Sequence, residues 1–174
     1  MTEPHSEEYY LRQDRKPMTE PARQFLDGWV AEMDSVLMHW RERYLTGLFP
    51  FDFSLDSLDV LETVLLSRYA QPSEFEADTG SPFIEGAVRY YGETLRRNLP
   101  CRWGYQDLGD EASDDLNRVP EIRSNTPLGY MRSVVPLRTI EYLVTDGVTG
   151  VLKRRMSVIL RAIRDAESDA DDLG

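Results

Sequence analysis

Histidine supplies most general acid and base chemistry near neutral pH, and the chain has only His5 and His39. His5 stands in a charged N-terminal stretch. His39 lies beside Trp40 in an amphipathic segment, with no third group placed to orient it. The Gly-x-Ser-x-Gly turn, the Gly-x-x-x-x-Gly-Lys phosphate loop and the dinucleotide glycine fingerprint are absent from the sequence. Cys101 is the single cysteine, which excludes an intrachain disulfide and deprives a cysteine-based zinc site of its other ligands. No catalytic set, metal or cofactor is expected.

Two groups of side chains remain as candidate binding sites. Asp107, Asp110, Glu111, Asp114 and Asp115 place five carboxylates within nine residues. Hard cations take several oxygen ligands, but this spacing does not match an EF-hand loop. A solvated acidic loop that meets a basic partner is the expectation. The second group is Glu93, Arg96 and Arg97 with Trp103 and Tyr105, a carboxylate, arginine and aromatic set suited to a small-ligand cleft. Glu93 also belongs to the series Glu85, Arg89, Glu93, Arg97, whose four-residue spacing predicts an exposed ion-pair ladder. Lys153, Arg154, Arg155, Arg161 and Arg164 make the last segment basic, but Asp165, Glu167, Asp169, Asp171 and Asp172 follow and compete for it.

The elements that must hold these groups are mainly helical. Phe25, Trp29, Met33, Val36, Trp40 and Tyr44 recur at helical spacing, predicting one long helix over 20–45 with Thr19 as its N-cap and Pro21 in its first turn. Leu55, Leu58, Leu61 and Leu65 predict a second helix from Ser54 to Tyr69, with Asp56, Asp59 and Glu62 complementing its dipole. Residues 71–80 read as a polar loop. Ser81 and Pro82 open a third helix that Pro100 ends, and Gly86 and Gly92 mark where it meets a sheet.

Cys101, Trp103 and Tyr105 alternate with Arg102, Gly104 and Gln106, the period of a half-buried strand over 101–107. A second strand is expected at 119–123, placed at an edge by Pro120. Pro136 opens a helix that Asp146-Gly147 closes, and Thr149 caps the last one. The fold class is α+β and mainly α, with about five amphipathic helices on an antiparallel sheet of two or three strands. Residues 1–18 read as a mobile N-terminal arm, 19–165 as a single globular domain and 166–174 as an acidic C-terminal tail.

The chain has 174 residues, 41% apolar and 29% charged, and a formal net charge of −11. Such a field repels phosphate backbones, so generic nucleic-acid binding is not expected. Apolar runs are too short to span a membrane and the N-terminus has no apolar signal region, so a cytoplasmic location is expected.

Asp52–Glu62 with its Ser-Leu-x-x-Leu spacing, Gly86–Arg97 with Tyr91-Gly92-Glu93, and Trp103 resemble a pattern of small uncharacterised bacterial proteins of actinobacterial type. These have a Ser-Leu-x-x-Leu helix, an aromatic-x-Gly-Glu helix and a Trp-bearing strand. The resemblance spans residues 50–106. It implies a bacterial cytoplasmic origin and a compact α+β fold, draws attention to Glu93, and supplies no reaction. The expected function is a non-enzymatic protein-binding module of immunity, anti-toxin or accessory type. A small enzyme or ligand binder at the Glu93 cleft is the alternative, and self-association through the first helix is a further expectation.

Overall fold

Thr19 and Ser81 open helices as their positions predict: the Thr19 hydroxyl accepts the Ala22 N–H and the Ser81 hydroxyl accepts the Ile84 N–H, both at 3.3 Å. The computed structural model describes residues 6–172. In chain order these form α1 (Glu7–Arg15), α2 (Glu20–Ala31), α3 (Met33–Tyr44), α4 (Ser57–Arg68), α5 (Pro72–Asp78) and α6 (Pro82–Asn98). The strands β1 (Cys101–Gly104), β2 (Glu121–Ser124) and β3 (Ser133–Val134) follow, then α7 (Pro136–Asp146), α8 (Val151–Arg154) and α9 (Met156–Asp172). The fold is a mainly α, α+β arrangement with one small antiparallel sheet in the order β1-β2-β3.

The axis of the molecule is α6. It is buried from Phe83 to Leu95 except at Glu85, because α3, α7 and the sheet all pack against it. Two glycines allow the approach. A Cβ at Gly86 would overlap the Trp40 indole of α3, and one at Gly92 would overlap the Trp103 indole of β1. Gly92 thus meets the sheet as expected, whereas Gly86 meets a helix.

Enclosure of α6 also removes the exposed ladder. Arg89 and Glu93 are each 2% exposed. Arg89 pairs with Glu85 at 2.9 Å, lies 3.7 Å over the Trp29 ring and donates to the Trp29 carbonyl at 2.5 Å.

Other expectations are corrected by local geometry. The helix over 20–45 is two helices, since Glu32 takes φ −88° and ψ −1°. Phe25 does not join the buried stripe; it is 40% exposed and stacks on Tyr105 with ring centroids 4.2 Å apart. Within the expected arm, residues 7–15 form a helix: Ser6 caps it, Glu7 and Glu8 occupy the first turn, and Arg12 and Arg15 the last. Within the expected loop at 71–80, Phe75 is buried against Tyr69 and Glu74 accepts the Gln71 N–H at 3.0 Å, closing α5.

Pro120 does not make an edge, because it precedes β2, and β2 is the central strand. Thr149 is not the cap of the last helix. Gly150, at φ 80°, opens α8, and α9 continues through Asp172 into the expected tail. Glu62 lies beyond the first turn of α4 and does not face solvent at its dipole; it is 2% exposed and accepts the N–H groups of Gly150 at 2.6 Å and Leu152 at 2.8 Å. A carboxylate from one helix thereby closes the start of another. Gly147, at φ 65°, ends α7 as expected. No helix among the described residues is long and apolar enough to cross a membrane.

Candidate functional site

Glu93, Arg96 and Arg97 occupy one side of the last two turns of α6, and Trp103 reaches them from β1. The Glu93 carboxylate accepts four donors: Trp103 Nε1 at 2.8 Å, Arg96 Nε at 2.8 Å, Arg96 Nη2 at 3.0 Å and Arg97 Nε at 3.4 Å. Burial pushes its proton affinity up, but the hydrogen bonds from Arg96 and Trp103, with the Arg96 charge and Arg97, outweigh it and hold the carboxyl below its ordinary range. Glu93 is therefore an ionised anchor. Its lone pairs orient two arginines and an indole and are not offered to a reacting group.

These four residues line a concave cleft of about 490 Å³. Its opposite wall comes from Glu7, Leu11 and Arg15 of α1 and from Leu26, Asp27, Val30 and Ala31 of α2, with Met33 and Asp34 at the start of α3. Arg15 pairs with Asp27 across this wall. The Arg97 guanidinium stacks 3.7 Å over Phe53, which fixes its plane. The cleft offers charged groups of both signs over an apolar floor and suits a small ligand with a polar end.

Tyr105 does not line this cleft. It stacks on Phe25 and, with Leu108, Arg123 and Tyr130, lines a smaller cavity of about 140 Å³. The acidic residues lie in the connection from β1 to β2. Asp107 and Asp110 pair with Arg118 at 2.8 and 2.5 Å, while Asp110, Glu111, Asp114 and Asp115 are exposed. Hydrogen bonding to Arg118 and to the Gly109 N–H holds the Asp107 carboxyl below its ordinary range. Among the described residues no group of three or more His, Cys, Asp or Glu side chains is gathered as a metal site would require.

Comparison with family models, with curated proteins and with solved structures finds no match to this chain. Its functional reading rests on its own side chains.

Sequence reasoning missed one polar cluster entirely. Arg102 donates to Asp14 through Nε at 2.7 Å and Nη2 at 2.9 Å, and Arg123 Nη1 lies 3.3 Å from the same carboxylate. Arg123 also pairs with Glu121, which accepts the Ser133 hydroxyl. Arg102 was expected on the open side of a half-buried strand, but β1 is buried on both faces. The only signal in the sequence was the arginine in each strand, at 102 and 123.

Proposed function

We propose that this chain is a protein-binding module of a bacterial cytoplasm, of immunity, anti-toxin or accessory type, and that it recognises a basic protein partner. The observation that carries this reading is the union of an exposed acidic loop with an exposed apolar shelf. Asp110, Glu111, Asp114 and Asp115 stand in the loop that begins at Tyr105. Leu108 in that loop is 50% exposed and shares a cavity with Tyr105 and with Tyr130, itself 55% exposed; Met131, next to it, is 79% exposed and Phe25, stacked on Tyr105, is 40%. Interfaces use a desolvated aromatic and apolar centre with a charged rim, and a mainly acidic rim, in which Arg118 offsets Asp107 and Asp110, in a chain of net charge −11 steers a basic partner into contact.

The experiment is affinity capture from host lysate at low and moderate salt, with wild-type chain beside a variant in which Asp110, Glu111, Asp114 and Asp115 become Asn, Gln, Asn and Asn. A basic protein retained by the wild type, released by salt and lost from the variant supports the reading. Equal retention by both chains, or retention by neither, rejects it.

A second reading has its own observation, the concave cleft that Glu93 lines with Arg96, Arg97 and Trp103. In that reading the arginines hold the polar end of a small ligand. A metabolite screen by thermal shift, repeated on Arg97→Ala, checks it: a stabilising compound must lose its effect in the variant.

A further inference from the structure

Arg102 and Arg123 are direct cross-strand partners in the β1–β2 ladder. Like charges in that position repel unless an anion stands between them. Both side chains are 2% exposed, and each also has an acceptor outside α1. Arg102 Nη1 donates to the Ser124 carbonyl. Arg123 Nε donates to Glu121 at 2.7 Å.

Two glycines make the room. A Cβ at Gly104 would overlap the Arg123 side chain, and one at Gly129 would overlap the Ser124 carbonyl and come within 3.2 Å of Arg102 Nη1. The two guanidinium groups and Glu121 leave one positive charge unmatched, in a rigid fork suited to one carboxylate.

Asp14 supplies that carboxylate, and it belongs to a nine-residue helix buried only at Tyr10 and Asp14. Two cavities, of about 410 and 140 Å³, both touch Asp14, and Asp14, Pro17 and Tyr130 line both. Arg102 opens into the first and Arg123 into the second. Asp14 of α1, with Pro17 and Tyr130, is thus the boundary that the two cavities share.

We propose that Arg102 and Arg123 form a binding site for an acidic side chain of a peptide segment, and that the chain fills this site in cis with Asp14. Lifting α1 joins the two cavities into a groove with a paired-arginine floor and Tyr130 on its wall. A tethered Asp14 competes at millimolar effective concentration, so an outside segment binds well only when α1 is released. This groove shares its smaller cavity, with Tyr105, Leu108 and Tyr130, with the apolar shelf of the preceding reading. Its two arginines lie outside the acidic loop, and the peptide test leaves Asp110, Glu111, Asp114 and Asp115 unchanged, so its failure is distinguishable from failure of that reading.

The test uses the full chain carrying Asp14→Asn, with its fold checked by circular dichroism, and a fluorescent synthetic peptide of residues 6–18 added in trans. The variant binds the peptide about tenfold or more tightly than the wild-type chain does, and a peptide carrying the same Asp14→Asn change loses that gain. Succinate as competitor separates the two sources of a carboxylate: displacement of the peptide assigns the site to any small dicarboxylate, and failure to displace assigns it to peptides. Equal binding of the two peptides, or no binding by a folded variant, overturns the proposal. Hydrogen exchange on the wild-type chain is an independent check. The amides of α1 exchange together while those of β1 and β2 stay protected; equal protection of α1 and β1 overturns the proposal.

Discussion

The Trp103 indole fills the space that a side chain at position 92 would take, and the same indole donates its N–H to Glu93, the next residue of α6. Packing and polar anchoring are thus joined at one contact between helix and sheet. Gly92→Ala forces the indole out, at a cost of about 1–3 kcal/mol despite the better helix propensity of alanine. Gly28 in α2 has nothing within 4 Å of its would-be Cβ, so Gly28→Ala gains about 0.5–1 kcal/mol. Urea denaturation of the two variants shows opposite shifts in midpoint.

Glu62→Ala removes the acceptor for two backbone N–H groups at the start of α8. The buried Leu152 N–H then loses its carboxylate acceptor. A loss of about 3 kcal/mol is expected, with faster hydrogen exchange at residues 150–152 as the local signature. A loss no greater than that of a surface substitution sinks this account of Glu62.

Glu93 sets a pH dependence of known sign. Its folded carboxyl is held below the ordinary value of 4.5 although burial opposes this, so the folded state favours the ionised form. That contribution is fully present above the unfolded value and is lost as pH falls through the folded one. Wild type is expected to be more stable than Glu93→Gln at pH 7, with the gap closing as the medium is acidified below about pH 4.5. Thermal melts across that range measure the gap; a constant difference rejects the assignment.

The Cys101 thiol is 1% exposed and is pushed up to about 12, chiefly by burial, with Glu7 and Glu93 adding to the effect and Arg96 opposing it. Only the thiolate is a nucleophile. Ellman's reagent at pH 8 is expected to leave the native chain unmodified and to titrate one thiol after denaturation. Rapid modification of the native chain contradicts this placement.

What could be read in the sequence was local. Thr19, Ser81 and Gly147 announce helix ends because a cap needs only neighbours within a few residues. Glu93, Arg96, Arg97 and Trp103 lie close enough along the chain for their grouping to be legible. The opposite wall of the cleft was not, because it comes from α1 and α2. Arg102 and Glu62 looked solvent-facing, and each is buried against a partner 88 or more positions away. Alternation along a strand reports one face as polar and cannot show that a distant helix covers it. Tyr105 follows the same alternation as Trp103 but lies past the end of β1, where it meets Phe25 in place of the cleft.

The joint at Glu32 has a consequence for the cleft. α2 forms its outer wall while α3 is packed on α6, and the buried Arg89 grips the Trp29 carbonyl just before the bend. The jaw opening of the cleft is thereby gauged from inside the core, by a guanidinium on the opposing helix and by the edge contact of the Trp29 and Trp103 rings.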